Sequence, residues 1–330
     1  MIDKVIGAIQ DAQTILLTTH RQCDGDGLGS ELGMYHALKK IGKTVRILNV
    51  DGTPSKYDFL EPDKHIQYFD GSYDPIQDSD LALIFDTNDK RLVEPLYQQI
   101  ETHCKKIVFV DHHPILKEGP RPTSDSIINV SAASTGELAY DIIMGLNIEL
   151  DQPIACALYT SLVFDTQLFR YVRNSHRSHE VAAHLLKYEK QPAKIHQALF
   201  GNFTAAKLRF MAQALSRIEF YFDDQLAILL ITSKELKEMG LKIDDSRDLI
   251  DMIMNIETVE AAAMFRQDNE TDFKLSLRSK GQFPVTAIAE SLGGGGHPFA
   301  SGASVKGSYP DLREKVKSAM AKHLELISAS

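Results

Sequence analysis

Cysteine is scarce: Cys23, Cys104 and Cys156 are the three in 330 residues, and no two stand in a CxxC spacing. That excludes a zinc ribbon or a disulfide framework and points to a reducing, cytoplasmic compartment. Long apolar runs are missing as well. The longest, such as Leu226 to Ile231, are far too short to cross a bilayer. The N-terminal MIDKVIGAIQDAQ reads as a short amphipathic helix, unlike the cationic start of a signal peptide. No internal repeat or low-complexity tract interrupts the chain. Positive charge is also short, with 36 Lys and Arg against 45 Asp and Glu, a net charge of -9. Broad binding to long nucleic acid needs a basic face and is set aside, as is a membrane partner. A small phosphorylated ligand is not excluded, because bound cations can supply the missing positive charge.

What is present is ordinary for a globular protein, 43% hydrophobic and 25% charged, and long enough for two domains. Apolar strands at 14–19, 44–50, 66–69, 80–86 and 106–111 alternate with helices at 28–41, 54–60 and 92–103. That alternation predicts right-handed crossovers and an α/β fold, a parallel doubly wound sheet over residues 1–190. Ser134 and Glu137 have capping-box spacing ahead of a helix at 135–144; others follow at 151–165, 176–188 and 193–217. Residues 191–217 read as a helical linker. Residues 218–330 read as a smaller α+β domain, with strands at 218–222, 226–232, 258–267 and 272–279 and helices at 234–239, 245–255, 284–291 and 310–327.

The first strand, TILLTT, ends on His20, with Asp24 and Asp26 in the glycine-rich turn that follows. Gly25, Gly27 and Gly29 are expected to take positive φ and turn both carboxylates toward one point, ahead of an amphipathic helix from Leu28 to Ile41. Two aspartates that close repel, and a divalent cation removes that cost. The bland alternative is an Asx-rich turn capping a helix. In parallel sheets the ligand lies at the carboxyl ends of the strands. There the fourth strand delivers Asp86 and the fifth Asp111, His112 and His113. Asp165 ends a buried helix, where it must be paired, protonated or metal-bound. In the smaller domain, Gly293 to Gly296 before His297 can present backbone N–H groups to a phosphate. Ser276 and Arg278 share one strand face, which also suits a phosphate, although an ordinary strand edge explains them as well. His36, His103, His176, His179, His184, His196 and His323 read as surface or packing residues.

The ordered set His20-x3-Asp24-x-Asp26, Asp86, Asp111-His112-His113, Asp165 and GGGGH resembles the DHH phosphoesterase superfamily over nearly the whole chain. It is most similar to the branch with a DHH-associated C-terminal domain, and within it to the oligoribonuclease (nanoRNase) and pAp-phosphatase group. The resemblance implies a catalytic domain and a substrate-binding domain with the active site in the cleft between them. It implies two Mn²⁺ ions, with Mg²⁺ or Co²⁺ as alternatives, one held by His20, Asp24 and Asp86 and the other by Asp26, Asp86, His112 and Asp165. Together they would activate water. His113 would contact the scissile phosphate, and Asp111 would orient its neighbours. Ser276, Arg278, the Gly294, Gly295 and Gly296 backbone and His297 would hold the terminal phosphate or nucleoside. The implied substrates are very short 5′-phosphorylated oligoribonucleotides such as pGpG, and pAp. A cyclic-dinucleotide phosphodiesterase and a catalytically inactive nucleotide sensor are the alternatives, and a homodimer is left open. Cys23 stands where relatives often have proline, so oxidant sensitivity is a further expectation.

Overall fold

In the computed structural model the described residues are 2–71, 78–115, 119–173, 175–201, 203–281 and 283–328. The chain divides into two compact units, Met1–Asn202 and Phe203–Ser330.

The first unit runs α1 (Ile2–Asp11), β1 (Thr14–Thr19), α2 (Gly25–Lys40), β2 (Thr44–Asn49), β3 (Ile66–Tyr68), β4 (Ser79–Phe85), α3 (Leu96–His103), β5 (Cys104–Asp111), β6 (Ile127–Ile128), α4 (Thr135–Gly145), α5 (Gln152–Asp165), α6 (Arg177–Leu185) and α7 (Pro192–Phe200). Its described strands form one parallel sheet in the order β3-β2-β1-β4-β5-β6. Both faces are covered, and the two-residue period of the strands shows why. Ile15, Leu17, Leu81, Leu83 and Val108 face α1, α2, α4 and α5, whereas Leu16, Ala82, Ile84 and Phe109 face α3. The order reverses between β1 and β4, the switch point where such sheets open a crevice.

Helix α2 departs from expectation. It begins at Gly25 and is buried from there through Met34, so it is a central helix and not an amphipathic one. None of Gly25, Gly27 or Gly29 has a positive φ. Their role is close approach. A Cβ on Gly25 would lie 2.6 Å from the Phe164 ring, on Gly27 2.2 Å from Thr19 Oγ1, and on Gly29 2.5 Å from the Ala157 carbonyl oxygen. The missing side chains let α2 settle against β1 and α5.

Other boundaries also move. The helix expected at 54–60 is a single 3-10 turn, Ser55–Tyr57. That at 92–103 begins only after Pro95, preceded by a 3-10 turn at Lys90–Val93. The long helix at 193–217 breaks after Gly201, and Thr204 caps a new one by accepting the Lys207 N–H. β6 falls outside the strands expected from the sequence.

The second unit contains α8 (Ala205–Leu215), β7 (Glu219–Tyr221), β8 (Leu226–Thr232), α9 (Ser233–Glu238), α10 (Asp248–Ile253), β9 (Ala261–Gln267), β10 (Asp272–Ser279), α11 (Thr286–Ser291), β11 (Gly295–His297), β12 (Ala300–Lys306) and α12 (Tyr309–Ser328). Its described strands form a mixed sheet, β11-β12-β10-β9-β8-β7, in which β8 and β9 are parallel and the other pairs antiparallel. The glycine run is therefore partly strand. Gly295 pairs with Gly302, and a Cβ on Gly294 would lie 2.0 Å from the Gly302 carbonyl oxygen. Among the described residues no helix is long and apolar enough to cross a membrane.

Candidate metal centre

Each ligand candidate stands at the end of an element that the packing holds in place. His20 follows β1 and Asp86 follows β4, so they flank the switch point, with His20 Nε2 3.4 Å from Asp86 Oδ2. Between them, Thr19 Oγ1 donates to the Phe85 carbonyl at 3.0 Å. Asp86 itself has φ +62°, a left-handed conformation uncommon for a residue with a side chain and characteristic of functional sites.

Asp24 caps α2, its Oδ1 accepting from the N–H groups of Asp26 (3.0 Å) and Gly27 (3.4 Å). Asp26, almost fully buried, is gripped at the N-terminus of α4. Its Oδ2 accepts from Thr135 N at 2.9 Å and its Oδ1 from Gly136 N at 3.2 Å and Ser161 Oγ at 2.5 Å. A helix N-terminus favours such a negative charge. The Thr135 hydroxyl also donates to Asp86 Oδ1 at 3.1 Å.

His112 closes the cluster. Its Nε2 lies 3.5 Å from Asp26 Oδ2, 3.8 Å from Asp86 Oδ1 and 3.4 Å from Asp165 Oδ2. Its Nδ1 faces the Ala132 carbonyl at 3.1 Å, and a carbonyl can only accept, so Nδ1 carries the proton. Nε2 then presents its lone pair to the carboxylates. It is buried and, among the described residues, has no hydrogen-bond partner. His20 is tied in the same way, Nδ1 to the Arg21 carbonyl at 2.7 Å. A cation among these groups would satisfy the orphaned nitrogen and the crowded carboxylates together. Three sets, His20–Asp24–Asp86, Asp26–His112–Asp165 and Asp86–His112–His113, each bring their ligand atoms within 4.8 Å of one another. The residues therefore fit a site for metal ions, built of carboxylates and imidazoles without thiolate.

The electrostatics agree. Burial, then the carboxylates of Asp26, Asp24, Asp111 and Asp165, push Asp86 well above the usual carboxylate range. Asp165 is pushed up by burial, then by Asp26 and Asp24. Burial lowers His112. His113 differs: burial would lower it, but the Asp111 carboxylate, 2.8 Å from its Nδ1, together with those of Asp165 and Asp26, raises it overall. The same bond holds Asp111 below its ordinary value against the effect of burial. Asn88 donates to Asp111 Oδ2 at 2.6 Å and to the His113 carbonyl at 2.9 Å.

Asn88, Thr135, Ser161 and the exposed Arg173 escaped the sequence reading. Asn88 stands within FDTND and Thr135 directly after the cap Ser134, but neither position reveals which distant carboxylate it meets. Cys23 bears on the expected oxidant sensitivity. It is buried, and burial followed by the Glu31, Asp24 and Asp51 carboxylates raises its thiol to about 12, so it is not the exposed thiolate that oxidants attack. Near it Glu31 is fully buried; its Oε1 accepts from Asn49 Nδ2 at 2.7 Å, and Asn49 Oδ1 in turn accepts the Thr19 N–H at 3.1 Å.

In the second unit Ser276 and Arg278 lie on one face of β10, alternating with buried Leu275 and Leu277. Sheet register aligns Ser276 with Gly302 and Gly295, and Arg278 with Ala300 and His297. Arg278 Nε lies 3.7 Å from Asp251 Oδ1. The His297 side chain lies outside the described residues.

A parallel sheet that gathers carboxylates and imidazoles at its switch point, on a chain with a second mixed-sheet unit, is the architecture of a phosphoesterase. The DHH family N-terminal domain matches residues 14–162 and the DHHA1 domain residues 223–322. The chain belongs to the DHH family of phosphoesterases. It is 30% identical over 307 residues to the bifunctional oligoribonuclease and PAP phosphatase NrnA of Thermus thermophilus, covering 93% of this chain and 88% of that protein. To the protein of the same name from Bacillus subtilis it is 26% identical over 313 residues, covering 92% and 93%. An exopolyphosphatase-related protein from Bacteroides fragilis has the same fold, with a TM-score of 0.90 at 25% identity over 99% of this chain and 97% of that one.

Proposed function

We propose that this enzyme hydrolyses very short 5′-phosphorylated oligoribonucleotides, dinucleotides such as pGpG above all, to mononucleotides, and removes the 3′-phosphate of pAp, acting in the cytoplasm. The observation that carries the reading is the buried Nε2 of His112, orphaned among Asp26, Asp86 and Asp165. The names of its relatives from Thermus and Bacillus support the substrate class.

His20, Asp24 and Asp86 would hold one ion and Asp26, Asp86, His112 and Asp165 the other; Mn²⁺ suits these ligands, with Mg²⁺ and Co²⁺ as alternatives. Two such ions lower the pKa of water and neutralise phosphate oxygens. The chain's own residues supply the rest. Asp111 fixes the His113 ring through Nδ1 and favours the imidazolium, which can donate from Nε2 to the scissile phosphate or the leaving oxygen. Thr135 and Ser161 keep the Asp26 and Asp86 carboxylates aimed. Ser276, Arg278, the Gly294–Gly296 backbone and His297 would take the substrate's terminal phosphate, which favours short substrates. No protein nucleophile is involved, so hydrolysis is direct.

The test is turnover with Mn²⁺ of 5′-phosphorylated RNAs from two to seven nucleotides, with pAp and a cyclic dinucleotide alongside and Asp86→Ala as control. A steep preference for dinucleotides, abolished in the control, supports the reading. Activity confined to the cyclic compound would replace it, and no turnover at all would return the chain to a nucleotide sensor.

A further inference from the structure

Arg173 has no part in the scheme above, yet its guanidinium lies against the cluster. After Asp165 the chain turns through left-handed residues Gln167, Leu168 and Phe169 (φ +47°, +59° and +65°), and Thr166 closes the turn by accepting from Phe169 N at 3.0 Å and Tyr171 N at 2.9 Å. Arg173 follows. Its Nη1 donates to the Val130 carbonyl at 2.8 Å, and its Nη2 lies 3.5 Å from His112 Nδ1. Because that Nδ1 proton is committed to Ala132, Nη2 does not hydrogen-bond there; the contact is one of packing and charge. Among the described residues the Val130 carbonyl is the one acceptor that Arg173 engages, although a guanidinium has five N–H donors. The side chain is exposed at the rim, and its charge acts on Asp165.

Charge balance suggests what the spare donors are for. With metal bound, Asp24, Asp26, Asp86 and Asp165 would be ionised, and their four negative charges would be cancelled by two divalent ions. An incoming phosphate then brings its own charge uncompensated. A phosphodiester carries one negative charge and two non-bridging oxygens; a terminal phosphomonoester carries up to two charges and has three such oxygens. A guanidinium beside the cluster gains most from the second charge and the third oxygen.

We propose that Arg173 contacts the substrate and favours terminal phosphomonoesters over internal phosphodiesters, so that it sets the balance between the two activities of the proposed function, on which this inference rests. The test uses the full chain loaded with Mn²⁺, with Arg173→Gln and Arg173→Ala. Glutamine retains a donor for Val130, so a mere strut would be spared by that variant. Phosphate release from pAp should fall roughly 10- to 100-fold in kcat/KM in both variants, as for loss of one charge-assisted hydrogen bond. Cleavage of pApA should fall by less than about threefold, as for a site making little use of that bond. Calorimetric binding of inorganic phosphate should weaken along with the pAp rate, while Mn²⁺ affinity stays unchanged. Equal losses on both substrates, or a loss of Mn²⁺ affinity, would make Arg173 a support for His112 and overturn the inference. If the parent enzyme turned over neither substrate, the proposed function would fail, and phosphate binding alone would decide the role of Arg173.

Discussion

Thr135 and Asp26, 109 residues apart in sequence, meet through a 2.9 Å bond from the threonine N–H to Oδ2, and the same threonine's hydroxyl reaches Asp86 at 3.1 Å. One residue therefore aims two carboxylates. Thr135→Val keeps the shape and the N–H but removes the hydroxyl. Activity and Mn²⁺ affinity should each fall roughly tenfold, the usual scale for a partner that orients a ligand, and Thr135→Ser should restore most of both. Parent-like Mn²⁺ affinity in the valine variant would count against this role.

Crowded carboxylates make a second expectation. Without metal, Asp86 sits among Asp26, Asp24, Asp111 and Asp165 and resists ionisation. After chelation, Asp86→Asn should melt at a higher temperature than the parent, because asparagine is spared the cost of keeping a buried carboxyl protonated among its neighbours. On adding Mn²⁺ the order should reverse, since the parent gains binding energy and the variant little. Melting curves with and without Mn²⁺ decide it.

The glycine seam of α2 is testable by a single methyl. At Gly29 the obstacle is the backbone carbonyl of Ala157, 2.5 Å from the ideal Cβ position, which cannot swing aside as a side chain could. Gly29→Ala should destabilise the protein by about 1–3 kcal/mol, as overpacking does, despite alanine's better helix propensity. A neutral or stabilising outcome in urea denaturation would mean the helices are not this close.

Glu31 makes stability depend on pH. Burial raises its carboxyl from the ordinary 4.5 to about 8, against the opposing hydrogen bond from Asn49. The folded state thus retains a proton that the unfolded chain releases. Below pH 4.5 there is no penalty; it grows as pH rises toward 8 and is constant above, with a ceiling of about 4–5 kcal/mol. Glu31→Gln lacks this titration, so its stability relative to the parent should increase between pH 5 and pH 8. A difference that does not vary with pH would show that Glu31 is already ionised in the fold.

Cys23, buried and held as a thiol, should lack the oxidant sensitivity that its place in the sequence suggests. Inactivation by millimolar peroxide should proceed at the same rate in the parent and in Cys23→Ser. Marked protection by the serine would reinstate a reactive thiol.

The parts readable from sequence were those set by local pattern. Apolar runs bounded by polar residues located β1, β4 and β5, and the rule that ligands lie at carboxyl ends of parallel strands brought His20, Asp86 and His112 together before any contact was known. What escaped depends on distant partners. Gly25, Gly27 and Gly29 look like turn residues until Phe164, Thr19 and Ala157 are seen against them. Thr135 looks like an ordinary first-turn residue, and Arg173 like one of several surface cations. The strand in GGGGH was missed because glycine has little strand propensity, and pairing with β12 supplies what propensity does not.

The strand order has a final consequence, for biogenesis. Since Asp26 is held by Ser161 across 135 residues, and by the start of α4 on the way, the ligands cannot converge until α5 has docked against α2. A chain emerging from the ribosome would carry its first aspartates long before it could retain an ion. Metal capture would then come late in the maturation of the first unit, only after α5 has taken its place beside α2.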